Sequence, residues 1–120
     1  MIEFKNDKAR DTYPQLKDEL KDAIYWCSKW CDSRKVPFVI TRCIDEMIPG
    51  VSTSRTHEEG RAVDVSVKGW AADDIDDFVH DSNKQFGSIG AISATDGVSR
   101  FCVFHVGTAA HFHLQVRKGL

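Results

Sequence analysis

No apolar window in the chain approaches the length of a transmembrane helix. The opening residues, Met1-Ile2-Glu3-Phe4-Lys5-Asn6-Asp7-Lys8, lack the apolar centre of a secretory signal. Synthesis in a cytoplasm without a signal peptide is therefore expected, and the four cysteines Cys27, Cys31, Cys43 and Cys102 read as reduced thiols. Cys27 and Cys31 stand four apart on a predicted helix and share a face. A second metal site there would need two further ligands, so core packing is their expected role. There is no run of Lys or Arg, and the formal net charge is -2, which argues against nucleic acid or an acidic membrane as partner. Internal repeats, linkers and low-complexity segments are also missing. The 120 residues read as one domain, 1–120, whose 42% hydrophobic residues suffice for a core without staples.

What the chain does contain is periodic. A helix is predicted from about Thr12 to Ser33, beginning near Pro14, because Leu16, Leu20, Ile24, Cys27 and Trp30 recur at helical spacing with charged residues opposite. A strand follows over Pro37 to Thr41. The stretch from Cys43 to Thr56, with Pro49-Gly50 and a Ser/Thr cluster, reads as a mobile rim. A second helix opens at Ala71 and ends near Gly87; its acidic start, Asp73 to Asp77, suits the positive end of the dipole. These carboxylates project around the axis and do not converge as a calcium loop would. A strand over Phe101 to Val106 and the short link Gly107 to Ala110 form a hairpin with the last strand. His80, in the acidic helix, is expected at the surface, and His105 is expected to be packed or hydrogen-bonded.

Two segments carry chemistry. Between Arg61 and Val67 the residues alternate, sending Val63, Val65 and Val67 to one face and Ala62, Asp64 and Ser66 to the other. The last strand does the same, with Phe112, Leu114 and Val116 opposed to His111, His113 and Gln115. If the two strands pair, Asp64 and both histidines share one cleft. His57 stands just upstream, and Gly60 permits the tight path that folds it back towards Asp64. Two imidazoles and a carboxylate, with one position left open, are the ligand set of a hydrolytic Zn²⁺, and one histidine remains in hand.

The run Ser54-Arg55-Thr56-His57-Glu58-Glu59-Gly60-Arg61-Ala62-Val63-Asp64, followed by His111-Phe112-His113, resembles the zinc D-alanyl-D-alanine peptidases. That group includes DD-carboxypeptidases, phage L-alanyl-D-glutamate endolysins and proteins of Hedgehog-like fold. The resemblance spans roughly Val36 to Val116. It implies His57, Asp64 and His113 as zinc ligands. Phe38-Val39-Ile40-Thr41-Arg42 is similar to the family strand that ends in a substrate-binding arginine, so Arg42 takes that role. The chain departs from the family at two points. Relatives often carry Ser two residues before the first ligand, where Arg55 stands here and Ser54 is one position off. Many place a carboxylate general base three residues before the last ligand, where this chain has Ala110. Other relatives use the first His of His-x-His, which points to His111 as the proton carrier or oxyanion stabiliser. Glu59 is expected as a supporting group beside the metal.

The expectation is an α+β domain with a small, mostly antiparallel sheet flanked by helices, of the Hedgehog/DD-peptidase kind. It would be a zinc metallopeptidase, either a DD-carboxypeptidase or a peptidoglycan endopeptidase. Its partner would be a peptidoglycan stem peptide, bound through Arg42 and hydrolysed with the help of His111. The lack of a signal favours a phage or prophage lysis enzyme released to the cell wall by a holin. The alternative is a non-catalytic, zinc-stabilised binding or phage structural module of the same fold, which Ala110 keeps in play.

Overall fold

The computed structural model describes residues 1–45, 56–93, 95–107 and 109–119. The strand β1 (Ile2–Phe4) is followed by the short helix α1 (Asp7–Thr12), whose N-cap Asn6 accepts from the Ala9 N–H at 2.9 Å. A long helix, α2 (Asp18–Arg34), leads to β2 (Phe38–Arg42) and, after the undescribed residues, to β3 (Ala62–Ser66). Helix α3 (Ala72–Phe86) precedes the two-residue strands β4 (Ala91–Ile92) and β5 (Ser99–Arg100), then β6 (Cys102–His105) and β7 (His111–Gln115). No helix among the described residues is long and apolar enough to cross a membrane.

The first predicted helix is displaced. Residues Thr12 to Lys17 do not continue into α2; Tyr13–Gln15 form one 3-10 turn that includes Pro14, and the chain then runs extended through Leu16 (ψ 156°). The Lys17 N–H donates to the Gly60 carbonyl at 3.0 Å, so this break anchors the chain beside the turn that carries His57. Spacing alone could not reveal it, because Leu16 is buried on either path. Helix α2 itself follows its pattern, with Leu20, Ala23, Ile24, Cys27 and Cys31 buried, and it stops at Lys35 in the left-handed region (φ 58°).

The main sheet has the order β1-β2-β3-β7-β6, and β4-β5 form a separate hairpin. It is mixed, not mostly antiparallel as expected, because β1 was not foreseen and pairs with β2 in parallel, Ile2 opposite Phe38. A parallel neighbour needs a crossover, and α1 and α2 supply it. One face of the sheet holds the core: Phe38 and Ile40 of β2, Val63 and Val65 of β3, and Phe112 and Leu114 of β7, packed under α2 and α3. Phe78 of α3 lies between Trp70, at 5.4 Å, and Phe112, at 4.8 Å between ring centroids. Burying a ring such as Phe112 contributes on the order of 2 kcal/mol from area alone, so this side fixes the direction in which every odd-numbered residue of β7 must point. All four cysteines are buried and unpaired. His80 is at the surface beside Asp81.

Candidate metal centre

Asp64 occupies the middle of β3, which is flanked on both sides by antiparallel neighbours. Its own neighbours Val63 and Val65 enter the core, so its carboxylate must face the other side. The same alternation on β7 places His113 directly across from Asp64, with His111 one pleat further along. His57 comes from the turn Thr56 to Gly60, closed by Gly60 N–H to His57 O at 3.2 Å and Arg61 N–H to Thr56 O at 2.8 Å. Gly60 has φ +72°, which strains any other residue, and a Cβ there would also crowd the Gln15 carbonyl oxygen at 3.2 Å. His57, Asp64 and His113 each offer one ligand atom, and these atoms lie within 4.8 Å of one another. The group can hold a metal ion.

Hydrogen bonds around the cluster decide which nitrogens face inward. A neutral imidazole has a single N–H, and a carbonyl can only accept. The Nδ1–H of His57 donates to the Cys43 carbonyl at 2.8 Å, which leaves the Nε2 lone pair 3.2 Å from Asp64 Oδ1. The Gln115 amide is oriented by its Nε2, which donates to the Arg100 carbonyl at 3.2 Å. Its Oε1 must then accept from His113 Nε2–H, at 3.1 Å, leaving the His113 Nδ1 lone pair 3.0 Å from the same Asp64 oxygen. Two lone pairs and a carboxylate oxygen confront one another in a buried spot. Such a set repels itself unless a cation lies among its members, either extra protons on the imidazoles or a metal ion. In the state with extra protons on the imidazoles, burial acts to raise the Asp64 carboxyl, but hydrogen bonds donated by His113 and His57, together with their charges, outweigh it and hold Asp64 well below the usual carboxylate range.

The other expected residues gather nearby. His111 donates its Nδ1–H to the Ala109 carbonyl at 3.0 Å and presents Nε2 3.8 Å from Asp64 Oδ1, on the open side of the cluster. Arg42 stands opposite Asp64 across a register shift in β2, its Nη1 3.8 Å from Asp64 Oδ2. Asp45 accepts from the Arg42 Nε at 3.0 Å and is itself held by Lys8 at 2.7 Å, a support that the sequence did not reveal. Glu59 pairs with Arg61 at 2.8 Å. Ser54, Arg55 and most of the predicted rim fall within residues 46–55, outside the described residues.

Two side chains were missed. Gln115, in phase with His111 and His113, orients the last ligand. His105 was expected to be packed or hydrogen-bonded; it is exposed instead, faces His111 across the hairpin with ring centroids 5.2 Å apart, and lies 5.7 Å from the His113 ring. Partial desolvation of its ring lowers the His105 pKa, reinforced by His113 and His111 and opposed by Asp64. The predicted link Gly107 to Ala110 would pair 106 with 111; the strand ends one residue earlier, at His105, and it is this shift that brings His105 opposite His111. Arg42, His57, Asp64, His105, His111, His113 and Gln115 line one open cleft of about 1210 Å³ that runs over the free face of the sheet to the β4-β5 hairpin. Ala110 is not part of its wall. Compared with protein-family models, with curated proteins and with solved structures, the chain matches none.

Proposed function

We propose that the chain is a zinc-dependent peptidase acting on peptidoglycan stem peptides. The observation that carries this reading is the convergence of His57, Asp64 and His113 at the floor of an open cleft, with inward lone pairs fixed by outer hydrogen bonds. Two imidazoles and one carboxylate are a donor set that suits zinc and leaves a coordination position for chemistry. When bound, zinc would supply Lewis acidity towards a carbonyl and make water acidic enough to attack near neutral pH.

The chain's own residues do the rest. His111 keeps its proton on Nδ1, against Ala109, so its Nε2 lone pair is free on the cleft side to take a proton from the attacking water and return it to the leaving amine. Arg42, steadied by Asp45, directs a planar cation at the cleft, suited to a substrate carboxylate or carbonyl oxygen. The peptidoglycan substrate rests on the resemblance of the His57-to-Asp64 and His111-to-His113 segments to the zinc D-alanyl-D-alanine peptidases. Elemental analysis of the purified chain, with cell-wall hydrolysis measured before and after chelation, tests the reading. One zinc per chain is expected, together with activity that chelator removes and zinc restores. His57→Ala, Asp64→Ala and His113→Ala should each lose tight binding, and full zinc retention in Asp64→Ala would remove the carboxylate from the ligand set.

A further inference from the structure

We propose that the cleft carries a second recognition point, formed by Arg117 and Lys118, for a carboxylate borne by an extended peptide at a distance from the reacting bond. The inference rests on the peptidase reading for what happens at the metal cluster, and on independent observations for the anion.

The open face of β7 is occupied in steps of two by His111, His113 and Gln115, and Arg117 continues that phase just beyond the strand. Both Arg117 and Lys118 line the same cleft as the cluster. The backbone leading to them is pinned, since the Arg117 N–H donates to the Ile89 carbonyl at 2.9 Å and the preceding Val116 N–H to the Arg61 carbonyl at 2.9 Å. The Arg117 side chain thus rises from a fixed backbone, with Lys118 next to it in the chain.

Charge balance singles them out. Arg61 is paired with Glu59 at 2.8 Å, Arg100 with Asp96 at 2.8 Å and Arg42 with Asp45 at 3.0 Å. Arg117 and Lys118 have no ion-pair partner among the described residues, so their end of the groove is left with uncompensated positive charge. A guanidinium fork beside an ammonium suits a carboxylate. Arg117 lies four positions beyond His113, roughly 13 Å of extended chain, which a bound peptide would span in about four residues.

The test uses the zinc-loaded full chain and three synthetic probes: penta-alanine capped as acetyl and amide, the same peptide with a succinyl N-terminus, and the same peptide with a free C-terminal carboxylate. Calorimetry measures binding, and chromatography measures cleavage. At least one charged probe should bind about three- to tenfold tighter than the neutral one, the worth of one or two exposed ion pairs. That advantage should shrink at high salt and vanish in Arg117→Gln/Lys118→Gln, with zinc content checked in the variant. Equal binding of all three probes by the native chain would overturn the proposal, as would a charge preference that survives in the variant. Should the variant fail to fold, the salt dependence in the native chain decides, because a preference insensitive to salt cannot come from exposed cations. A charge preference with no hydrolysis of purified cell walls by the same zinc-loaded chain would sink the peptidase reading and leave this site standing; cell-wall hydrolysis without a charge preference among the probes would do the reverse.

Discussion

Gln115→Met removes the acceptor that holds the His113 proton on Nε2 while keeping the length of the side chain. In the native chain the Gln115 Oε1 accepts from His113 Nε2 at 3.1 Å, and the Gln115 Nε2 is committed to the Arg100 carbonyl at 3.2 Å, so the amide cannot turn over without losing both bonds. Without that acceptor His113 can place its proton on Nδ1, where it would block the metal. Loss of such an outer partner costs about 10- to 100-fold in metal affinity, or roughly 1.4 to 2.7 kcal/mol. The half-buried Arg100 carbonyl also loses its donor, which should lower folding stability by about 1 kcal/mol. Competition with a zinc chelator measures the first effect, denaturant unfolding of the zinc-free chain the second, and long-range nitrogen–proton spectra of the histidine rings the tautomer itself. Gln115→Glu separates the two roles, because it keeps an acceptor for His113 but sets a carboxylate against the Arg100 carbonyl; zinc affinity should hold while stability falls. Native zinc affinity in Gln115→Met, with His113 still protonated on Nε2, would refute the reasoning.

Three further outcomes are expected. His111→Ala should keep zinc and reduce cell-wall turnover by about 10²- to 10⁴-fold, the usual worth of a positioned acid/base; native turnover would take His111 out of the chemistry. Arg42→Ala should retain zinc and fold yet lose most hydrolysis, with Arg42→Lys recovering only part because the planar fork is gone; loss of zinc would mark Arg42 as a support for Asp64. Cys102 is pushed up by burial from an ordinary 9.0 to about 12, so its neutral form favours the folded chain. That stability is complete below pH 9 and is lost as pH rises towards 12, by at most about 4 kcal/mol; alkaline unfolding of Cys102→Ala should show a shallower pH slope than native between those limits, and an identical slope would refute it.

The parts of the fold that could be read from the chain are those where one period dominates. Val63 and Val65 against Asp64, and Phe112 and Leu114 against His111 and His113, alternate in a way only a strand can use, so the open face of β3 and β7 was legible before any pairing was known. The parts that could not be read are those where local pattern says nothing of the partner. Ile2-Glu3-Phe4 is too short to show a period, and its parallel pairing with β2 depends on a crossover that no local signal announces. The break before Asp18 leaves the spacing of Leu16, Leu20 and Ile24 undisturbed.

The same distinction runs through the site. Ligand identity is written in side chains, and His57, Asp64 and His113 could be picked out by type and spacing. Ligand orientation is written partly in backbone carbonyls, which every residue carries, so the Cys43 oxygen that fixes the His57 tautomer leaves no mark in the sequence. What favours a cation is the joint effect of these outer bonds: Cys43 turns one lone pair inward, Gln115 turns a second, and β3 holds a buried carboxylate oxygen within 3.2 Å of both. Satisfying any one of the three atoms alone leaves the other two facing each other across a desolvated gap. A single ion of radius and charge suited to imidazole and carboxylate can satisfy all three at once, and this is the physical sense in which the cluster can hold a metal ion.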